Sequence, residues 1–202
     1  MQLGIMGGTF DPVHLGHLQI ARAAMREASL DRVLFLPDGN PPHKQPGATG
    51  DDRFTMVCLA LENQQGFSAS NMELLRAGST YTVDTLVELR RRNPASQLSY
   101  IVGADTLFQF PTWKTAERVA QLCRLLVVPR PGCDLREIKA EQRRLAARYG
   151  LGSALLLTQG PDISSSSIRE AVAQGQPIDA LVPNAVAQFI KEKRLYLKGV
   201  LD

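Results

Sequence analysis

The chain has 202 residues, 44% of them hydrophobic and 21% charged, with a formal net charge of +3. That length suits one domain able to bury its core without staples, and the composition is that of a globular chain. The mild charge argues against a surface coated for nucleic acid and fits a protein that handles anions locally.

Cys58, Cys123 and Cys133 form no C-x-x-C pair and no zinc spacing. They read as reduced thiols packed within apolar patterns. Met1-Gln2-Leu3-Gly4 has no basic region ahead of an apolar stretch, so no signal peptide is expected. The longest apolar runs, such as Leu125–Val128, are too short to span a bilayer. A cytoplasmic chain with no membrane or nucleic-acid partner is expected; a homo-oligomer is compatible with this.

In chain order, Leu3–Met6 predicts a first strand and Leu15–Ala28 a helix with Leu15, Leu18, Ala21 and Met25 near one face. Arg32–Leu36 is a second strand, followed by a Gly-, Pro- and Asn-rich loop over Asp38–Gly50. Asp51–Gln64 is helical, Phe67–Leu75 extended, and Thr82–Arg92 a helix stopped by Asn93-Pro94. Leu98–Val102 is a strand, Ala116–Leu122 a short helix, Arg124–Val128 a buried strand and Asp134–Tyr149 an amphipathic helix ending at Gly150. Ala154–Thr158 closes the strands; Ser166–Ala173 and Asn184–Lys193 are helices. Strands separated by helices imply parallel crossovers, hence a doubly wound α/β sheet in a single domain over residues 1–202. Ligands bind such sheets at the carboxyl ends of strands.

The first strand runs into Gly7-Gly8-Thr9-Phe10-Asp11-Pro12-Val13-His14-Leu15-Gly16-His17. The paired glycines are expected to turn the backbone sharply and bring it close to a ligand. The helix that follows offers free N–H groups and a dipole suited to an anion. The spacing is not the G-x-G-x-x-G fingerprint, and the chain has no Gly-Lys pair for a Walker A loop. Two of the three histidines, His14 and His17, lie three residues apart, which puts both imidazoles on one side of a helix start, with Gly16 leaving room for a ligand. They read as phosphate donors. A capped helix with two incidental histidines is one other reading, and a metal pair, with no third ligand near in sequence, is another.

The H-x-G-H stretch resembles the signature of the nucleotidyltransferase superfamily. Pro-Pro-His-Lys at 41–44, Glu73–Leu86, Ile101–Leu107 with Trp113 shortly after, and Ile163–Arg169 follow in the order and spacing of the bacterial nicotinate-nucleotide adenylyltransferase family. The resemblance covers essentially the whole chain. It implies a Rossmann-like nucleotidyltransferase fold and transfer of the adenylyl group of ATP to nicotinate mononucleotide in NAD biosynthesis. One departure is visible: the family's I-S-S-T-x-I-R motif has Ser166 at its Thr position. The hydroxyl is kept, so little change is expected.

The resemblance assigns roles. His14 and His17 would hold ATP phosphates, His17 near the α-phosphate, with Gly8, Thr9, Phe10 and Gly103 lining the same pocket. Lys44 would bring a mobile cation to both substrates, with His43 helping or ordering the loop. Ser164, Ser165, Ser166 and Arg169 would clamp the polyphosphate from a C-terminal helical segment over residues 164–198. Asp105 suits a ribose hydroxyl or a helix cap. Tyr81, Thr82 and Trp113 would hold the pyridine mononucleotide, the aromatic pair stacking on its ring and the helix start at Thr82 receiving its carboxylate. Mg²⁺ is expected with ATP, without a carboxylate cage of its own. Arg90–Arg92 and Lys191–Arg194 read as solvated faces.

Overall fold

The computed structural model describes residues 1–39 and 46–197. Six strands form one parallel sheet: β1 (Gln2–Gly8), β2 (Arg32–Pro37), β3 (Phe67–Ala69), β4 (Gln97–Gly103), β5 (Arg124–Val128) and β6 (Ser153–Leu155). Their spatial order is β3-β2-β1-β4-β5-β6. The helices are α1 (Leu15–Glu27), α2 (Gly50–Leu61), α3 (Thr82–Arg92), α4 (Ala104–Gln109), α5 (Ala116–Leu122), α6 (Leu135–Tyr149), α7 (Ser165–Ala173) and α8 (Asn184–Glu192), with a 3₁₀ turn at Phe110–Thr112.

Strand alternation builds two cores. Met6, Phe35, Ile101, Leu126 and Val128 face one side, packed by α1, α2, α7 and α8 through Leu18, Met56, Ile168 and Val186. Ile5, Leu36, Val102, Leu125 and Val127 face the other, under α3 to α6, with Leu86, Leu107, Val119 and Leu145. Both faces of the central strands are buried, so these strands read as unbroken apolar runs. Strand order reverses between β1 and β4, and the crevice outside their carboxyl ends is where this architecture takes ligands.

Several expectations change in detail. β1 runs on through Gly8, so the glycines make no sharp turn. Gly7 is needed for close approach instead, since a Cβ there would lie 2.1 Å from the Tyr100 hydroxyl. The extended segment from Phe67 stops at Ala69, because β3 pairs with β2 over only three residues. α4 and the 3₁₀ turn were not anticipated. Cys58 is exposed rather than packed, while Cys123 is buried. Arg90 is not merely solvated: its guanidinium donates to the carbonyls of Ser96 (2.6 Å) and Leu122 (2.8 Å) and ties α3 to the turn before β4 and to the end of α5.

Candidate functional site

A cleft of about 900 Å³ opens at the carboxyl ends of β1 and β4. It gathers Gly8, Thr9, Phe10, His14, His17 and Gly103 with Ser164, Ser165, Ser166 and Arg169 from the distant α7 start. Ten of the sequence-predicted residues thus line one cleft.

His14 is the N-cap of α1 and His17 its third residue. Their rings stack with centroids 3.7 Å apart. The backbone N–H of His14 donates to Nδ1 of His17 at 3.2 Å. That bond leaves Nδ1 without a proton, so neutral His17 carries its proton on Nε2, as a donor. Nδ1 of His14 is buried with no protein partner. Burial lowers the His14 pKa to about 4. Burial, then the charge of His14, lowers that of His17 well below its ordinary value. Both rings are neutral at pH 7, and neutral N–H groups can face an anion without bringing two buried cations together. Phe10, in the left-handed region at φ 49°, closes edge-on over His17 at 4.9 Å.

Two expectations about this loop are corrected. Gly16 does not leave room for a ligand: a Cβ there would meet Nδ1 of His14 and Cγ of Pro161, both at 2.9 Å. The glycine lets the His14 ring lie against the helix. Nor is the α1 start wholly open to an anion. The N–H of Leu15 donates to the Leu181 carbonyl at 2.9 Å, and that of His17 to His14 at 3.0 Å. Two of the first three N–H groups of α1 are thus already bonded within the protein.

At α7 the Ser164 hydroxyl accepts from the N–H of Ser167 at 3.1 Å. Ser165 donates to the Pro12 carbonyl at 2.9 Å, and Ser166 accepts from Arg169 at 3.3 Å. The serine run is therefore a cap and a tie as well as a cleft wall. Arg169 donates to the Asp11 carbonyl at 2.7 Å and lies 3.7 Å from its carboxylate.

Asp105 lies on α4 without capping it, and pairs with Arg130 at 3.1 Å. Arg130 itself lines the cleft. Tyr81, Thr82 and Trp113 lie beside the cleft rather than in its wall. Tyr100 stands between Trp113 and β1: its ring sits edge-on to Trp113 at 5.8 Å, and its hydroxyl would lie 2.1 Å from a Cβ on Gly7. One face of Tyr81 is covered by the Lys114 ammonium, 3.9 Å from the ring centroid, so stacking on that ring must displace a cation. Lys44 and His43 lie outside the described residues.

Sequence reasoning missed Arg53, Asp11, Arg130 and Lys114. Arg53 is 1% exposed. It donates to the carbonyls of Thr9 (2.7 Å) and Asp38 (2.8 Å), fixing the loops after β1 and β2. Its signal was there: Arg53 falls on the buried stripe with Met56, Val57 and Ala60.

Residues 5–171 match the model of the cytidylyltransferase-like family. The chain is 40% identical to the "Probable nicotinate-nucleotide adenylyltransferase" of Thermoanaerobacter sp., over 98% of this chain and 95% of that one. It is 40% identical to the protein of the same name from Dehalococcoides mccartyi, over 98% of each. The chain belongs to the cytidylyltransferase-like family, in its nicotinate-nucleotide adenylyltransferase branch. Two solved structures share the fold at 16% identity: the Plasmodium falciparum nicotinic acid mononucleotide adenylyltransferase complexed with NaAD (TM-score 0.80, 96% of this chain, 97% of that one) and with APC (TM-score 0.77, 96% of each). The match to the family model spans both walls of the cleft, from β1 to the first turns of α7.

Proposed function

We propose that the chain transfers the adenylyl group of ATP to nicotinate mononucleotide, releasing pyrophosphate and forming nicotinate adenine dinucleotide, a step of NAD biosynthesis. The observation that carries this reading is the stacked imidazole pair at the end of β1, in a chain whose near full-length relatives bear the name of that reaction.

The reaction suits such a site. A phosphate oxygen of the mononucleotide attacks the α-phosphorus, and a new P–O bond forms as the bond to the bridging oxygen breaks. The electron pair leaves with pyrophosphate. The nucleophile is already an anion, so no base is needed. What the protein supplies is alignment of two anions and donors for the charge that develops. Nε2–H of His17 is such a donor, directed by the bond that its Nδ1 accepts. His14, Gly8, Thr9, Phe10 and Gly103 would line the ATP subsite. Ser164, Ser165, Ser166 and Arg169 would clamp the leaving phosphates from the C-terminal segment. Asp105, exchanging its Arg130 partner, would take a ribose hydroxyl. Lys44 keeps its role on its motif alone.

Mg²⁺ would arrive bound to ATP and offset the charge of the departing pyrophosphate. A magnesium ion held by substrate phosphates and water needs no ligand set of its own from the protein. The three cysteines are unpaired, which supports a reducing, cytoplasmic setting. Among the described residues no helix is long and apolar enough to cross a membrane.

The pyridine nucleotide is tested by rate. Tyr81 is the N-cap of α3 with no side-chain hydrogen bond to the helix, so the first N–H groups of α3 suit a carboxylate better than an amide. Trp113 would pack on the ring, with Tyr81 and Thr82 beside it. Pyrophosphate release is expected with ATP and nicotinate mononucleotide, with kcat/KM at least about a hundredfold above that for nicotinamide mononucleotide, roughly 3 kcal/mol for donors left unpaired. Comparable values for the two would overturn the preference. No release with either would overturn the reaction.

A further inference from the structure

Asp11 is a buried carboxylate that the reaction itself does not use. It is 3% exposed and accepts from the N–H groups of Gly47 (2.8 Å) and Ala48 (3.1 Å). The Tyr196 hydroxyl donates to its Oδ1 at 2.8 Å, and Arg169 stands 3.7 Å from its Oδ2. Tyr196 comes from beyond α8, 185 residues away in sequence, with its backbone in the left-handed region at φ 62°. Its ring also lies on the backbone of Gly47, where a Cβ would come within 3.2 Å of it. A tyrosine in that conformation is held by its contacts, since the backbone alone disfavours it.

The geometry points to Tyr196 as a positioning residue of the phosphate clamp. We infer that it acts through Asp11 on Arg169, making the segment after α8 part of the ATP site. The inference rests on the reading of the cleft given above. Its physical basis is the shared acceptor. Asp11 orients Arg169 by charge and by the adjacent carbonyl, while Tyr196 and two backbone N–H groups orient Asp11. Without the phenol hydroxyl, a buried carboxylate loses one donor and must draw harder on Arg169, pulling the guanidinium away from a phosphate. Tyr196 does not itself need to touch the nucleotide.

Tyr196→Phe keeps the ring on Gly47 and removes only the hydrogen bond, so folding is preserved. ATP binding is measured by calorimetry, and KM and kcat by pyrophosphate release, for the unmodified chain, Tyr196→Phe, Arg169→Ala and the double variant. Tyr196→Phe is expected to weaken ATP binding and raise KM for ATP about five- to tenfold, with KM for nicotinate mononucleotide within about twofold. In the Arg169→Ala background the same change is expected to shift ATP binding by less than about twofold, because the route is already cut. Equal effects in both backgrounds, or a change in thermal midpoint with ATP binding unaltered, would overturn the coupling while leaving the reaction intact. Absence of ATP binding by the unmodified chain would overturn the reading of the cleft and the coupling with it.

Discussion

Two helices begin on the same cleft and face it by different means. At α1 the cap is a histidine, and the first N–H groups are taken up by Leu181 and by His14 itself. That start is partly closed by protein, and beside it stands a pair of imidazoles that would face an anion. At α7 the serine hydroxyls are largely spent on the chain: Ser164 on Ser167, Ser165 on Pro12, Ser166 on Arg169. What it offers is main chain, the N–H groups of the first turn that have no intrahelical acceptor, together with Arg169. On the proposed function, one helix start would meet anions by side chains and the other by backbone, so substitutions should break them unequally.

The sharpest break is at α1. His17→Ala is expected to lower kcat by about two to three orders of magnitude, as when a preorganised donor to the transition state is removed. The fold should survive, because the ring faces the cleft. Pyrophosphate release by the folded variant decides it, and near-normal turnover would overturn the role.

Next comes pH. His14 has a folded pKa of about 4 against an ordinary 6.5. A lowered folded value means that the unfolded chain binds its proton first. The stability tied to the neutral ring is therefore complete above about pH 6.5 and is lost as the pH falls toward 4. The loss is about 3 kcal/mol for His14, and His17, shifted in the same direction, adds to it. Urea unfolding at pH 7 and at pH 4.5 measures it. His14→Gln should flatten the slope, whereas α7, with no histidine in its clamp, predicts no such slope of its own.

The sequence made α1 more legible than the devices that hold it. Alternation of apolar runs with helical patterns places every strand near its observed position, because both cores are built from period-two strands and one-sided helices. The H-x-G-H and serine motifs are local in the chain, so their geometry can be read from spacing. Asp11, Arg53 and Tyr196 act across separations of 37, 44 and 185 residues, and no local pattern records those contacts. The same limit explains the misread glycines. Gly7 and Gly16 are small because of Tyr100, His14 and Pro161, and two of those partners lie far along the chain. α4 was missed because Gly103 caps it without a side-chain hydrogen bond, and the aspartate that could signal a start, Asp105, lies inside its first turn rather than before it. The segment after Phe67 has strand-like composition, yet it sits at the sheet edge, where only three residues find a partner.

The smallest effect tests the backbone at α7 most directly. Ser165 is the first residue of that helix, and Ser164 before it is extended, at φ −128° and ψ 147°. That is the conformation a residue preceding proline adopts, and proline is well tolerated at a first helical position. Ser165→Ala removes the hydroxyl bond to Pro12 and keeps the N–H. Ser165→Pro removes both without bending the helix. The alanine variant is expected to raise KM for ATP by about threefold, the worth of one partly exposed hydrogen bond. The proline variant should raise it by about a further fivefold if the N–H meets a phosphate oxygen, since that bond is charge-assisted. Initial rates across ATP concentrations separate the two, with circular dichroism confirming that helix content is kept. Equal KM values for alanine and proline would mean that the first N–H of α7 is not offered to the ligand. The clamp would then rest on Arg169 and side chains, and α7 would resemble α1 rather than contrast with it.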